Sequence, residues 1–298
     1  MSKERLPAVR GVVAALVTPL RPGGGIDVAG VERLVEHAIA GGARAILTAG
    51  EPGEYMHLSR GERLLVARTA VAAARGRVPV YAGTSAASTE EAIALAQDAA
   101  GAGAAAAALA MPPYFALPQD ALARHVADVA AAGGLPLLVV NEPRGAGGAL
   151  RPATLAQLAT LDGVAALVEA DPDLAQLVET VGLAGDRRPV LAGRDTQGCA
   201  ALRAGARGVV SAAAGVLPRH VVALHDACLA DAAARAAALH DQLLPFFRRL
   251  EAAPGPAAPA KAALQILGLP AGPVRRPLPD LTDDERRDLQ AALAGLGG

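Results

Sequence analysis

The chain has 298 residues, 52% of them hydrophobic and 19% charged, with 28 basic against 29 acidic side chains and a formal net charge of -1. This composition excludes a disordered chain, and the lack of any basic surplus or basic run excludes nucleic acid and anionic membrane surfaces as partners. Aromatic residues make up only 2% and tryptophan is absent, so Ala, Val and Leu must fill the core at close approach.

From the N-terminus, the first apolar stretch has no A-x-A cleavage site and runs into the turn Pro22 to Gly25, which makes it a strand rather than a leader. Apolar runs then recur: Val12 to Thr18, Ala45 to Ala49, Val78 to Ala82, Ala106 to Met111, Leu137 to Asn141, Val164 to Glu169, Val190 to Ala192 and Gly208 to Ala212. Between them lie helix-start signals: Asp27 before Val28, Ser59 with Glu62, Ser88 with Glu91, and Pro152 and Pro172 as first-turn prolines. Asp171 reads as a helix N-cap. The uncharged stretch from Ala99 to Gln119 is broken by Gly residues and Pro112-Pro113 and fails as a membrane span.

Eight strand–helix units with continuous rather than alternating apolar strands imply a parallel sheet covered on both faces. The expected fold is an α/β (β/α)8 TIM barrel over residues 1–217. A doubly wound open sheet is the alternative, disfavoured because no G-x-G-x-x-G follows the first strand. After Pro218 only helical patterns remain, giving a C-terminal helical region over 218–298 packed on the barrel. Its segments are Val221 to Cys228, Leu229 to Leu250, Lys261 to Leu267 and Asp283 to Leu296, the last with a Thr282/Glu285 capping box and with residues 251–260 as a loop. Cys199 and Cys228, the only cysteines, lack metal-ligand or C-x-x-C spacing and read as buried thiols of a cytoplasmic protein.

In a parallel barrel the chemistry sits at the C-terminal ends of the strands. The residues placed there are Thr18, the turn Gly50 to Glu54, Thr84 and Ser85, Tyr114 and Phe115, Asn141 to Arg144, Glu169 to Asp171, Gly193 to Asp195, and Ser211. Carboxylates and two arginines crowd this rim.

The strings ALVTPL with GGGID, GEPGE, AGTSAASTEEAI, MPPYFALP, LPLLVVNEP, GVAALVEADPDL, VLAGRD, GARGVVSAAAGVLP and APAKAALQILGLPAGPVRRPLPDLT resemble the dihydrodipicolinate synthase and N-acetylneuraminate lyase family over about residues 10–295. The resemblance implies condensation or cleavage of pyruvate-type oxo acids through a Schiff base on a lysine ending the sixth strand, and assembly as a homodimer or homotetramer. A Schiff base needs an amine that adds to the ketone and loses water. At that position stands Val168. The family's proton-shuttling tyrosine on the fifth strand is replaced by Val140. The family's GTTGE loop reads Gly50-Glu51-Pro52-Gly53-Glu54, so Pro52 donates no N–H and Glu51 brings a negative charge. A second family tyrosine corresponds to Phe115, while Tyr114 keeps the preceding one. The only lysines are Lys3 and Lys261, and Lys261 is expected to be a helix-surface or packing residue.

A carboxylate near the former anion cradle repels an oxo-acid carboxylate by about 4 kcal/mol at ~4 Å for an effective dielectric of about 20. Glu51, Glu142 and Glu169 are therefore the candidate catalytic residues, with Glu51 and Glu142 as a carboxylate pair able to do acid–base work or hold a cation or amine. The bland counterparts are Glu51 closing an abandoned pocket through Arg144 or Arg194, and Glu169 left in place as the glutamate that the family resemblance implies beside the lysine. Candidate ligand-binding residues are Gly50, Gly53, Tyr114, Asn141, Arg144, Gly193, Arg194 and Ser211. No metal or cofactor is expected, since none of the six histidines falls on the rim and His57 reads as structural. The functional expectation is a repurposed enzyme acting on a small metabolite. The alternatives are a non-catalytic binding, regulatory or scaffold homologue and, third, a conventional pyruvate-dependent lyase using Lys261.

Overall fold

A computed structural model describes residues 9–184, 187–252 and 254–296. Eight strands, β1 (Gly11–Ala15), β2 (Ala45–Thr48), β3 (Val80–Gly83), β4 (Ala106–Ala110), β5 (Leu137–Asn141), β6 (Val164–Glu169), β7 (Val190–Ala192) and β8 (Gly208–Ser211), close into a barrel in chain order. Every pairing is parallel, including β8 with β1. The connecting helices are α1 (Val28–Ala40), α2 (Arg60–Ala74), α3 (Thr89–Gly101), α4 (Gln119–Ala132), α5 (Pro152–Leu158), α6 (Leu174–Ala184), α7 (Gly198–Arg203) and α8 (Pro218–Leu229). Three more follow: α9 (Ala233–Glu251), α10 (Ala257–Ile266) and α11 (Asp283–Ala294).

The strands are apolar throughout because both faces are buried, and their twofold alternation divides the core. Val13, Leu47, Tyr81, Ala108, Leu138 and Val168 fill the interior, whereas Val12, Ile46, Leu109, Val139 and Leu167 face the helices. Between Leu137 and Leu138 the register advances by two residues of β6, from Val164 to Ala166. This bulge fixes the phase in which Val168 points inward and Glu169 outward.

Three sequence expectations are corrected in detail. The first strand ends at Ala15 rather than Thr18, whose hydroxyl instead donates to the Gly53 carbonyl at 2.7 Å. Pro172 lies ahead of α6, and Asp171 caps no helix: its Oδ1 accepts from Asp173 N–H at 2.8 Å, and Asp173 in turn accepts from Ala175 N–H at 2.9 Å. The loop expected over 251–260 is shorter, because Glu251 still belongs to α9 and α10 begins at Ala257. Pro259 fits in that first turn, where no intrahelical N–H is needed. The capping boxes at Ser59/Glu62 and Thr282/Glu285 are both present.

Helix α8 packs against α7 and β1 and also against α9. Phe246, Phe247 and Leu250 of α9 and Leu264 of α10 share one buried cluster with Leu16 and Val17 of the barrel. Of the two expectations for Lys261, helix surface or packing, the structure bears out packing. The residue is 2% exposed on α10, its Nζ 2.5 Å from Glu54 Oε1 and 2.7 Å from the Pro273 carbonyl it donates to. Burial pulls its pKa down from the usual lysine range, against the opposing pull of Glu54. Lys3 lies outside the described residues.

Candidate active site

A cavity of about 240 Å³ opens at the C-terminal ends of the strands. Its throat is apolar, formed by inward side chains such as Leu47, Ala108, Leu138, Val140, Val168 and Val210. Val140 and Val168 are register partners across β5 and β6. Among the described residues no lysine lines this cavity.

The mouth is polar and dominated by carboxylates. Glu51 follows β2 and Glu142 follows β5, and both line the cavity with Arg144 between them. Arg144 Nη2 lies 3.4 Å from Glu142 Oε2 and 3.7 Å from Glu51 Oε1, and its Nε donates to Glu142 Oε1 at 3.1 Å. Burial first, and the Glu142 charge second, push the Glu51 carboxyl up to about 7. The expected neighbourhood of Glu51 and Glu142 is therefore present, and so is the contact of Glu51 with Arg144. Arg194 points elsewhere: its Nη2 donates to Glu251 Oε2 at 2.5 Å.

Several sequence-based candidates do not line the cavity. Glu169 is wholly buried on the outward face of β6, accepting from Asn141 Nδ2 at 2.8 Å, Asp171 N–H at 3.0 Å, Gln176 and Thr180. Burial raises its carboxyl to about 7, although these donors oppose the shift. It acts on the wall between strand and helix, since its neighbour Val168 takes the inward position. Asn141 is spent in the same network, holding the Leu150 backbone through both its amide oxygen and nitrogen. Ser211 donates to Asp195 Oδ1 and accepts from Ala214 N–H. Gly53 packs against Ala49 outside the lining, whereas Gly50, Pro52 and Gly193 line it. A Cβ at Gly193 would stand 2.6 Å from that of Ala170 and 3.2 Å from Val168, so glycine keeps the rim open there. Tyr114 and Phe115 are 87% and 67% exposed, away from the cavity, their rings in an edge-to-face pair at 4.7 Å.

Other lining residues escaped the sequence reading as candidates. Glu251, at the end of α9, clasps the mouth by accepting from Arg194 and from Thr196 N–H and Oγ1 at 2.9 and 2.8 Å, while its carbonyl accepts from Arg144 Nη1 at 2.8 Å. Asp195 is buried, accepting from Ser211 and from Ala213 N–H, and burial pushes it up to about 7. Tyr55 brings a phenol to the mouth, its pKa raised to about 12 by burial and then by Glu51. His57 also lines the cavity, which the sequence had placed off the rim. Only Asp195, following the seventh apolar run, carried a positional signal. Among the described residues no group of three or more His, Cys, Asp or Glu is arranged to hold a metal ion, and no helix is long and apolar enough to cross a membrane.

The fold and the strand-end cavity define a (β/α)8 barrel with the site in its usual place. The sequence profile of the dihydrodipicolinate synthetase family matches residues 8–296, and the chain belongs to that family. A curated relative, the 4-hydroxy-tetrahydrodipicolinate synthase of Symbiobacterium thermophilum, is 36% identical over 98% of this chain and 99% of its own length. The crystal structure of dihydrodipicolinate synthase from Thermotoga maritima superposes with a TM-score of 0.93 at 29% identity, covering 98% of this chain and 99% of that one. A structure described as a monomeric dihydrodipicolinate synthase variant matches equally well, with a TM-score of 0.93 at 30% identity over 97% of each chain.

Proposed function

We propose that this member of the family works without a Schiff base, binding a small neutral or cationic metabolite at the barrel mouth, where Glu51 and Glu142 serve as proton-transfer groups. The observation that carries this reading is the facing pair Val140 and Val168, which puts two hydrocarbon side chains where the family resemblance implies a tyrosine and a lysine. An aliphatic side chain can neither add to a ketone nor relay a proton. Lys261, the one lysine among the described residues, is held by Glu54 and the Pro273 carbonyl outside the cavity lining. Glu51 supports the acid–base role because a carboxyl titrating near 7 can both hold and release a proton at neutral pH. Glu169, turned away from the cavity, drops out of the catalytic set.

A conventional synthase is favoured by the names of the relatives, and borohydride trapping separates the two readings. Incubation with pyruvate and sodium borohydride, read by intact-protein mass, is expected to leave the mass unchanged. A reduced pyruvate adduct mapped to Lys261 would overturn the proposal. A non-catalytic scaffold is favoured by a different feature, Arg144 bridging both carboxylates. On that reading Glu142→Gln is neutral or stabilising and no ligand shifts the melting midpoint; on ours the variant keeps its unliganded midpoint and loses the ligand-induced shift. The exposed pair Tyr114 and Phe115 supports self-association of this chain, which sedimentation of Phe115→Glu tests.

A further inference from the structure

The charges around the mouth are unevenly spent. Among the described residues Arg144 and Arg194 are the only arginines lining the cavity, and both are committed: Arg144 to Glu142 and the Glu251 carbonyl, Arg194 to the Glu251 carboxylate. Glu54, also in the lining, is neutralised from behind by Lys261 and accepts from Arg275 N–H at 2.6 Å. Glu51 is left with one ion-pair contact at 3.7 Å, the longer of the two that Arg144 makes with carboxylates. Pro52 offers no N–H to an anion at this turn. Below Glu51 the inward strand residues are hydrocarbon, since Val140 and Val168 carry neither amine nor hydroxyl.

An anion here would meet Glu51, Glu142 and Glu251, with no uncommitted lysine or arginine among the described lining residues to receive it. A divalent metal ion would need several converging oxygens, and the Arg144 guanidinium already lies between Glu51 and Glu142. A monovalent organic cation suits both halves of the site, with a charged end for the carboxylate and an apolar body for the throat.

We propose that the ligand class of this cavity is a short apolar primary amine, its ammonium group on Glu51 and its hydrocarbon tail against Val140 and Val168. This rests on the reading that the cavity is a working site without a protein amine. The geometry ties binding to the charge of Glu51. That charge is faced by Glu142 and Arg144 from the β5 loop, Arg194 from the β7 loop, Glu251 from α9 and Tyr55 on its own turn. An alkylammonium keeps its proton throughout the neutral range, so its affinity follows the deprotonated fraction of Glu51.

The test is calorimetric titration of the full chain with n-butylamine, n-butanol and butyrate as matched probes, together with propylamine and hexylamine to vary the tail. The amine series is expected to bind at least about tenfold more tightly than the alcohol or the acid, and Glu51→Gln to abolish that preference. Affinity in the unmodified protein is expected to fall about tenfold from about pH 8 to about pH 6, and to be flat in Glu51→Gln. If Glu51→Gln does not fold, that pH profile decides by itself. Butyrate or butanol binding as tightly as butylamine, a pH-independent amine affinity, or no heat from any amine at millimolar concentration would each overturn the proposal. Failure here with no pyruvate adduct in the borohydride experiment removes the ligand class alone, whereas an adduct removes the reading beneath it.

Discussion

Replacing Lys261 by methionine isolates the buried ion pair that fastens α10 against the cavity turn. The Lys261 and Glu54 side chains are 2% and 0% exposed, so removing the cation strands a carboxylate that keeps the Arg275 N–H as its hydrogen-bond donor. Breaking one side of such a pair costs about 3–5 kcal/mol, whereas replacing both sides by groups of similar volume is close to neutral. Unfolding entropy of about 2.1 cal/mol/K per residue over this chain gives about 0.6 kcal/mol/K, so Lys261→Met is expected to lower the melting midpoint by about 5–8 °C. The double variant Lys261→Met/Glu54→Gln should recover at least half of that loss. Differential scanning calorimetry at neutral pH measures both. A single variant melting within about 1 °C of the parent, or a double variant no better than the single, would show that the pair does not hold α10.

Four further outcomes follow from the same geometry. Asp195, Glu169 and Glu51 each have a native pKa raised to about 7, so between about pH 4 and 7 the native state holds protons that the unfolded chain releases. Stability contributed by these groups is therefore lost as pH rises through that window, and Asp195→Asn is expected to flatten the decline in melting midpoint from about pH 5.5 to about pH 8. Glu62 works in the opposite sense: Arg275 holds its carboxyl down at about 2, so its contribution is present above about pH 4.5 and lost towards about pH 2, which acid titration of Glu62→Gln detects as a smaller loss. Gly83→Ala would place a Cβ 1.8 Å from the Ala49 carbonyl oxygen; with Gly83 held in β3 and Ala49 directly after its neighbour β2, a loss of at least about 3 kcal/mol is expected in urea denaturation. Finally, Val168→Lys/Val140→Tyr is expected to give no borohydride-trapped pyruvate until Glu51→Thr and Pro52→Thr are added, because the pyruvate carboxylate would still be repelled by Glu51; trapping in the double variant would show that Glu51 does not exclude oxo acids.

What the sequence determined by itself was whatever depends on near neighbours along the chain. The apolar runs at Leu137–Asn141, Val164–Glu169 and Val190–Ala192 are the strands β5, β6 and β7 residue for residue, since a buried parallel strand must be apolar on both faces. Ser59 with Glu62 and Thr282 with Glu285 are legible because a capping box closes within three residues. The family resemblance placed Val140 and Val168 at the catalytic positions of the fifth and sixth strands, and twofold alternation could already have turned Glu169 away from Val168.

The charges at the mouth were decided elsewhere. Glu251 reaches Arg194 and Thr196 from more than fifty residues away, and Lys261 reaches Glu54 from more than two hundred. No local pattern marks such pairs, because a carboxylate's partner is set by which loops the closed barrel and the returning C-terminal helices bring together. Whether Glu51 is a spent ion pair or an available charge depends on where the arginines are drawn. Glu142 and Glu251 draw Arg144 and Arg194 to themselves, and that competition exists only in three dimensions, where burial strengthens each charge it leaves uncompensated.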